Sequence, residues 1–549
     1  MRCKCWLLAG MLTLWAPADA AKNFTRGGAT ARQFGVHEIE LRGQPGDNPF
    51  EVTSTVKFTA PSGSETVVRA FYDGGRTWRA RVYVSESGRW RWQASTGESG
   101  AFRASSPALP GMLRRHRDDP RQWMTDNGKW FLNLSDTSYF LFLEDHREWR
   151  RYVREDAALG ITSLRVTALP DKDFDFDTQK PRKEWAAYCV DPDCISLRLE
   201  NFRTSDARLE WMLDNYPEMY VQLILFPRGS RYGQDETAWV KFSDGAKRRI
   251  MDYMLARFAA YPQLFWLIVN DAHYGPKFPN NNALASEVGE YFAKHDPWRH
   301  LLSTGPVRFM PFPFRGAAWV SYYHLEDAYQ LGAGKMELYR SDPVHVFLGE
   351  DRYEQDRARF DPKNPTYYYR CMFWSWLLAG GSANYGGRWE RTEPYSLTGS
   401  KPFTNTYREG SPDRRTYTEG LKGLDSVIHI KKFFADRRLD LVGFQPKDEL
   451  VAGSGGGEPR PKLAQRRGRE YLVYDPNAAA GGQDAAPDTS RTARFRVDLK
   501  GAEGTFHVEW YRPADGSSKA GEPVEGGAAR EFIAPWSGCD VILYLSPKK

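Results

Sequence analysis

Cysteine is scarce in this chain of 549 residues, and its scarcity limits the metal chemistry open to the protein. The sequence holds six cysteines, with no paired Cys-x-x-Cys motif and no His-Glu-x-x-His motif, so zinc sites of these types are not indicated. Cys189 and Cys194 are close enough in sequence to bridge a loop in an oxidising compartment, which makes them a candidate disulfide pair. Cys371 and Cys539 are expected to be isolated, buried thiols.

Long blocks of like charge are missing as well. The chain has 76 Lys and Arg against 70 Asp and Glu, a net charge of +6, and the two signs are mixed along it, which does not indicate a nucleic-acid-binding protein. It also lacks the Gly-x-Ser-x-Gly elbow of serine hydrolases and the His-x-His pair of metal-dependent barrels. His273 and His324 could join Asp271 around a metal, but scattered histidines are more often structural. We therefore predict neither a metal nor another cofactor.

No apolar run outside the first 20 residues is long enough to span a bilayer. Those residues combine basic Arg2 and Lys4 with an apolar run over residues 6–15 and a small-x-small site at residues 18–20. This order is typical of a secretory signal peptide. We expect an exported protein, periplasmic or extracellular after cleavage at residue 20, without a membrane span.

Alternation of apolar and polar residues predicts two β-sandwiches, one on each side of a central region. In residues 21–115, the stretch WRARVYV places Trp78, Ala80 and Val82 on one face of a strand and Arg79 and Arg81 on the other. In residues 441–549 the same period returns in RFRVDL and TFHVEWYRP. The glycine-rich stretches between these runs are expected to be loops, because no helix follows them.

The central region, residues 116–440, alternates short apolar runs with amphipathic stretches of helical length. Eight such units predict an α/β fold of the (β/α)8 barrel type, with functional side chains at the C-terminal ends of the strands. A doubly wound sheet is the alternative, but it needs a glycine-rich turn after the first strand, where the chain has Ser135-Asp136-Thr137. The predicted strands are Trp130–Leu134, Ile161–Val166, Met219–Phe226, Phe265–Val269, Leu301–Ser303, Ala318–Tyr322, Val344–Leu348 and Ser382–Tyr385. The predicted helices are Trp149–Leu159, Ala207–Tyr216, Ala246–Ala260, Ala283–Lys294, Tyr367–Leu378 and Tyr417–Phe434.

Two acids lie at the ends of long apolar strands. Asp271 follows the fourth predicted strand, in LFWLIVND, and Glu350 follows the seventh, in HVFLGEDRYE. In a barrel, both side chains could point into one central cleft. Cleavage of a glycosidic bond needs such a pair, because one carboxyl group protonates the leaving oxygen while the other attacks, or activates water, at the anomeric carbon.

Each acid also has a simpler interpretation. Asp271 could be only the N-cap of a following helix, and further acids lie just after Glu350 in the same loop. The pair is therefore a stronger signal than either member alone. A non-catalytic glycan-binding protein on a barrel scaffold is the alternative function. A polysaccharide lyase using Tyr323 or His324 as a base is a third, although it gives no reason for the two acids.

At these residues the chain resembles the apiosidase-like (β/α)8 glycoside hydrolases, which carry an N-terminal immunoglobulin-like domain and a C-terminal β-domain of the collagen-binding type. The resemblance spans nearly all of the chain after residue 20. Its motifs are NPFEVTSTVKFTAPSG in the first sandwich, DDPRQWMTDNGKWFLNLSDTSYFLF, LFWLIVND, HVFLGEDRYE and RCMFWSWLLAGGSANYGGRW in the barrel, and EYLVYDP and VEWYRPADG in the tail.

The resemblance implies an exported glycoside hydrolase that cleaves O-glycosidic bonds of a poly- or oligosaccharide. It makes Asp271 the general acid/base and Glu350 the nucleophile of a retaining mechanism, although much of the wider clan has Asn-Glu where this chain has Asn270-Asp271. Chemistry suggests that Asn270 binds a sugar hydroxyl and that Arg165 holds Glu350 ionised, unless Arg165 forms only a structural ion pair. The other predicted substrate-binding residues are Asp136 for sugar hydroxyls, unless it only caps the first loop, Tyr323 and His324 for orienting Glu350, and Tyr385 and Trp389 for stacking on a sugar ring.

Overall fold

A computed structural model describes most of the chain after residue 21. The described residues are 22–43, 48–106, 109–139, 141–142, 149–169, 174–175, 180–181, 184–226, 237–354, 360–387, 403–404, 416–417, 421–453, 459–466 and 468–548. Among them, no helix is both long and apolar enough to cross a bilayer.

The central region forms an eight-stranded parallel sheet that curls into a nearly closed barrel, which confirms the predicted fold class. Neighbouring strands pair in the order β5-β4-β3-β2-β1-β8-β7-β6, where the labels follow chain order. At the seam between β5 and β6, the Ser321 N–H donates to the Leu302 carbonyl at 2.8 Å. The strands β1 to β8 are Leu134–Thr137, Ser163–Thr167, Tyr220–Phe226, Leu264–Val269, Leu302–Ser303, Tyr322–Glu326, His345–Glu350 and Ser382–Tyr385.

Six α-helices accompany the strands in the described residues. Three of them begin with recognisable signals: Ser243 caps α3 (Asp244–Phe258) by accepting from the Ala246 N–H at 3.2 Å, and α4 (Pro279–His295) and α5 (Pro365–Leu378) each begin with proline. The last predicted helix is wrong in its first half, because α6 begins ten residues later than expected. The helices α1 to α6 are Trp149–Leu159, Leu199–Asn215, Asp244–Phe258, Pro279–His295, Pro365–Leu378 and Val427–Arg437, and short 3-10 helices lie at Glu184–Ala187, Ala238–Lys241, Gly334–Tyr339, Asp448–Leu450 and Gly482–Asp484.

Two predicted barrel strands are displaced in the structure. Residues 130–131, expected to open β1, belong to a three-stranded antiparallel sheet made of Leu113–Arg115, Trp123–Thr125 and Trp130–Phe131. The aromatic ring of Trp123 from this sheet packs on barrel-interior rings such as Phe265 and Phe347, so the sheet closes the N-terminal end of the barrel. The apolar run at residues 130–134 is therefore divided between two elements, the three-stranded sheet and barrel strand β1.

Strand β6 lies four residues later than predicted, over Tyr322–Glu326 instead of Ala318–Tyr322. All five of its residues are buried, including His324 and Glu326. Because these polar residues interrupt the apolar pattern, hydropathy alone placed the strand too early. The shift matters, since it puts a carboxyl group at the end of β6.

The N-terminal region, up to residue 105, is a sandwich of two sheets around a separate core. The large side chains of this core include Phe58, Trp78, Trp90 and Phe102. The four-stranded sheet contains Phe24–Arg26, Val36–Arg42, Thr77–Tyr83 and Phe71–Tyr72, and the five-stranded sheet contains Thr30–Arg32, Ser99–Ser105, Gly88–Ala94, Thr55–Thr59 and Glu65–Arg69.

A buried ion-pair cluster joins this sandwich to the barrel. Arg81 donates to both carboxyl oxygens of Asp206 on α2, at 2.7 and 2.9 Å, and to Glu38 at 2.8 Å. Its side chain is 2% exposed, and Arg257 on α3 donates to the same Asp206 at 2.5 Å. The strand face that carries Arg81 is therefore buried against the barrel helices, so the two faces of this strand are both covered.

The C-terminal region forms a second sandwich with its own core, which includes Phe495, Phe506, Trp510 and Phe532. It contacts the barrel through α5, where Arg370 donates to both oxygens of the fully buried Asp540, at 2.9 and 2.8 Å. Its six-stranded sheet contains Gln445–Pro446, Lys462–Arg466, Glu470–Asp475, Val541–Pro547, Thr505–Arg512 and Ser517–Glu525, and its three-stranded sheet contains Val451–Ala452, Thr492–Asp498 and Ala529–Ser537. Two-residue strand pairs lie at Phe174–Asp175 with Lys180–Pro181, Phe403–Thr404 with Thr416–Tyr417, and Ala486–Pro487 with the three-residue Ala478–Ala480.

A disulfide joins Cys189 to Cys194, with the two Cα atoms 5.0 Å apart. It closes a short loop between the 3-10 helix at 184–187 and α2. Cys371 is a buried free thiol, as expected. Cys539 is only partly buried, which corrects the expectation, because it lies in the turn before the last strand.

A pair of buried carboxyl groups lies between β1 and α1. Asp136 on β1 and Asp156 on α1 are both fully buried, and the Tyr152 hydroxyl donates to Asp136. Burial raises the pKa of Asp136 to about 7, and burial together with the charge of Asp136 raises the pKa of Asp156 as well. Two neighbouring carboxyl groups that are both buried do not easily ionise together, so the folded state retains a proton here that the unfolded chain releases.

Replacing Arg81 with Met is expected to destabilise the protein by about 3–5 kcal/mol, because Asp206 and Glu38 would lose a buried cationic partner. Chemical denaturation followed by tryptophan fluorescence measures the loss. The matched control is Arg91→Met, which removes an exposed arginine from the same sandwich and should change stability by less than about 0.5 kcal/mol. Equal effects of the two substitutions would contradict a role for the buried cluster.

Replacing Asp156 with Asn is expected to make the free energy of unfolding fall less steeply as pH rises. A carboxyl group whose pKa is raised by folding stabilises the protein below its unfolded pKa, and this stabilisation is lost as pH rises through the folded pKa, here between about 4 and 7. The asparagine amide can donate to an ionised Asp136 without a proton. The melting temperature of the variant should therefore exceed that of the wild type at pH 8 but not at pH 4, whereas the control Glu200→Gln, which removes an exposed carboxylate on α2, should shift both values equally.

Candidate active site

Three carboxyl groups meet at the C-terminal ends of the barrel strands. Asp271 follows β4, Glu326 ends β6 and Glu350 ends β7. One oxygen atom from each lies within 4.8 Å of the other two. The sequence predicted two of these acids to lie together, and the structure adds the third.

The backbone at Asp271 excludes the helix-cap interpretation. Its φ angle is 54°, in the left-handed region, and the next helix, α4, begins only at Pro279 with Phe278 as its N-cap. The side chain is partly exposed, and the Asn270 amide donates to its Oδ2 at 3.1 Å. Asp271 is thus directed into the cleft by a strained turn and is not bound to a helix end.

Glu350 is held by four donors and is 6% exposed. Its Oε2 accepts from the hydroxyls of Tyr139 at 2.5 Å and Tyr353 at 3.1 Å and from Arg165 at 3.0 Å, while its Oε1 accepts from Arg308 at 2.5 Å. Burial alone would raise its pKa, but the charges of Arg308 and Arg165, together with the hydrogen bonds, lower the pKa of Glu350 to about 2. The group is a carboxylate at any pH at which the protein works.

Arg165 lies in the barrel interior and has no solvent exposure. One terminal nitrogen donates to Glu350 at 3.0 Å and the other to Glu326 at 2.8 Å, and Asn270 accepts from it as well. The predicted contact of Arg165 with Glu350 is therefore present, and a second carboxyl group shares the same guanidinium. A single side chain on β2 connects the ends of β4, β6 and β7.

His324 lies in the barrel interior directly below the carboxyl groups. Its Nε2 is 3.4 Å from Glu326 Oε1 and its Nδ1 is 3.2 Å from Gln222 Nε2. Burial and then the charge of Arg165 lower the pKa of His324 well below its usual value, so the imidazole is neutral. A Cβ at Gly349 would lie 1.7 Å from the imidazole, so this ring requires glycine at the neighbouring position on β7.

Three predicted substrate-binding residues are directed away from this cluster. Asp136 is bonded to residues of α1, the Tyr385 hydroxyl donates to Glu354 at 2.6 Å while its ring packs on Tyr369 of α5, and the Tyr323 ring stacks on Phe312. All three side chains are 5% exposed or less. Alternate residues of a strand face opposite sides, and these occupy the side that faces the helices.

The structure therefore does not place Asp136 and Tyr385 where they were predicted to contact sugar, nor Tyr323 where it was predicted to orient Glu350. His324 and Asn270 do lie within the cluster, and so does Arg165. Trp389 lies outside the described residues.

Sequence reasoning missed Glu326, Arg308, Tyr139 and Tyr353. Glu326 was hidden by the displaced β6, and the others lie in loops that follow strands, where no periodicity marks them. The position of Tyr139 was one indication of a role in the site, because it lies two residues after the end of β1.

The charges in the site suit a reaction on a substrate better than they suit the binding of a metal cation. Three carboxyl groups this close could share a divalent cation. Arg165 and Arg308 already donate to them, however, and supply positive charge inside the cluster. What remains available to a substrate is a fixed carboxylate, Glu350, facing a partly exposed carboxyl group, Asp271.

Comparison with known proteins agrees with this geometry. Residues 30–97 match a family model described as a domain of unknown function, DUF5060, and residues 117–435 match the model for the apiosidase-like catalytic domain. None of the curated proteins matches the chain.

Solved structures of similar fold include a candidate glycoside hydrolase from Bacteroides vulgatus ATCC 8482, with a TM-score of 0.67, 15% identity, and coverage of 94% of this chain and 100% of that one. A glycoside hydrolase of family 5 from the same organism has a TM-score of 0.56 and 14% identity over 80% of this chain and 95% of that one. These likenesses concern the fold alone, whereas the catalytic-domain model covers more than half of the sequence and includes all three acids. The chain therefore belongs to the apiosidase-like glycoside hydrolases.

Proposed function

We propose that this enzyme cleaves O-glycosidic bonds of a poly- or oligosaccharide with retention of configuration at the anomeric carbon. The observation that carries the proposal is the short separation of Asp271 and Glu350, whose nearest oxygens are no more than 4.8 Å apart. Retaining glycosidases have their two carboxyl groups about 5–5.5 Å apart, whereas inverting enzymes need about 6.5–9.5 Å to admit a water molecule.

Glu350 is the nucleophile in this proposal. A nucleophilic carboxylate must be ionised and fixed in position, and the pKa of about 2 together with the four donors supports both requirements. Its Oε atom bonds to the anomeric carbon while the bond from that carbon to the leaving oxygen breaks. The contacts with Arg165 and Arg308 can then stabilise the ester oxygen that keeps its partial charge.

Asp271 is the general acid/base. It is the one acid of the three whose side chain is partly exposed, so it can reach a leaving group in the cleft. It gives its proton to the leaving oxygen in the first step. In the second step it takes a proton from the water that attacks the anomeric carbon, and Glu350 leaves as a carboxylate.

The substrate contacts proposed beside this pair are those of Asn270 and Trp389. Asn270 already bridges Arg165 and Asp271, so an amide group lies next to the reacting carbon. We also propose that the enzyme acts after export, in the periplasm or outside the cell. The disulfide between Cys189 and Cys194 supports an oxidising location, where such bonds persist.

Replacing Glu350 with Gln is expected to abolish turnover, and replacing Asp271 with Asn should lower kcat/KM by about 10² to 10⁴ on substrates with poor leaving groups. Digestion of a glycan panel with product sizing measures both, and the double variant serves as the blank. The control is Asp342→Asn, which removes a carboxylate that pairs with Arg315 outside the cluster. If glycans bind both single variants and the wild type alike, and none releases product, the chain is a glycan-binding protein and not a hydrolase.

Retention predicts that the first sugar product has the same anomeric configuration as the substrate. Proton NMR during the first minutes of hydrolysis, before mutarotation, distinguishes the two anomers. Inverted product would contradict the role of Glu350 as a nucleophile, and would instead assign it to the activation of water.

A further inference from the structure

Glu326 is a third carboxyl group that the two-carboxylate reaction does not use. It is fully buried at the end of β6 and accepts from Arg165 at 2.8 Å. One of its oxygens lies within 4.8 Å of an oxygen of Asp271. Two carboxylates this close repel each other, so one proton retained between the two groups stabilises the arrangement.

A count of charges in the cluster gives the same result. Arg165 and Arg308 contribute two positive charges, and the three carboxyl groups would contribute three negative charges if all were ionised. The cluster is neutral only when it retains one proton. Because an unbalanced charge in a buried site is costly, the retained proton is the favoured state.

The surroundings restrict that proton to Asp271 and Glu326. Glu350 accepts from both arginines and is a carboxylate, and the buried His324 beside Glu326 is neutral. Burial also lowers the pKa of His273, the imidazole that interacts with Asp271. The nearby hydroxyls of Tyr139 and Tyr353 have pKa values raised by burial, so they also stay neutral. Burial and the charge of Glu350 raise the pKa of Glu326 itself.

We propose that Glu326 is a positioning residue that shares one proton with Asp271 and thereby keeps the general acid protonated at neutral pH. The inference rests on the proposed function and specifies the pH range over which that site works. It also explains how the reaction proceeds without changing the buried charge. When Glu350 becomes a neutral ester, Asp271 gives its proton to the leaving oxygen, so one negative charge disappears as another forms.

Glu326→Gln tests the proposal with a side chain of the same size that cannot ionise. The cluster is then neutral with Asp271 ionised, so the acid loses its proton more easily. The apparent pKa of the alkaline limb in the pH profile of kcat/KM should fall by about one unit or more. At pH values above the limb, kcat/KM should therefore be about tenfold lower than that of the wild type. With the 2,4-dinitrophenyl glycoside of the sugar that the wild type releases, which needs no protonation, the loss should be much smaller.

Arg308→Gln should have the opposite effect, because removing a positive charge makes the cluster hold its proton more strongly. Its turnover will fall, since Arg308 contacts Glu350, but its alkaline limb should move up in pH. Opposite shifts are not expected from side chains that only support the fold. The Asp342→Asn control should leave the limb in place, and an unchanged limb in both cluster variants would overturn the proposal.

A second measurement needs no substrate. Since folding raises the pKa of Glu326, the wild type should lose stability relative to Glu326→Gln as pH rises through that raised pKa. The difference between their melting temperatures, taken from pH 5 to pH 9, cancels the contribution of the Asp136–Asp156 pair. A difference independent of pH overturns the shared proton, whereas a wild type that cleaves no glycan while the difference persists overturns only the hydrolase assignment.

Discussion

The guanidinium of Arg165 is the group on which the arrangement of the site depends. It has no contact with solvent, so its charge must be balanced by other buried groups. The partners come from three other strands, namely Asn270 after β4, Glu326 on β6 and Glu350 on β7. The cost of an unpaired cation thus holds the ends of these strands in register. The pair of carboxyl groups proposed to react, Asp271 and Glu350, therefore lies beside a third carboxyl group and a cation that are already fixed.

The three carboxyl groups of the site have different surroundings. Glu350 is surrounded by donors and stays ionised, whereas Glu326 has one cationic partner and an acidic neighbour, which favours its protonated form. Asp271 lies at the boundary between this buried cluster and the open cleft. Carboxyl groups within a few ångströms of each other therefore have pKa values shifted in opposite directions, because the buried arginines contact them unequally.

Most of the fold could be predicted from the sequence, because apolar runs and helical periodicity are local properties. LFWLIV predicted β4 to within one residue, and the bounds of α1 and β8 are those expected. The side that a residue faces is a property of register, which is why Asp136 and Tyr385 were assigned to the cleft although both lie against helices. Glu326 was missed because His324 and Glu326 made a buried strand look polar. Arg308 lies in a loop, where no repeating pattern reveals a contact 42 positions away in sequence.

The ion pair between Arg81 and Asp206 limits how far the N-terminal sandwich and the barrel can be treated as separate modules. The sandwich and the barrel look like separable units, since each has its own hydrophobic core. Their junction nevertheless combines buried ion pairs with aromatic contacts such as Phe24 on Tyr261, so each unit covers a charge that belongs to the other. Cutting the chain between them would expose half of an ion pair on each fragment, and exchanging the sandwich for that of a relative would require a matching arginine. For engineering, the unit of this molecule is therefore the pair of domains and not the barrel alone.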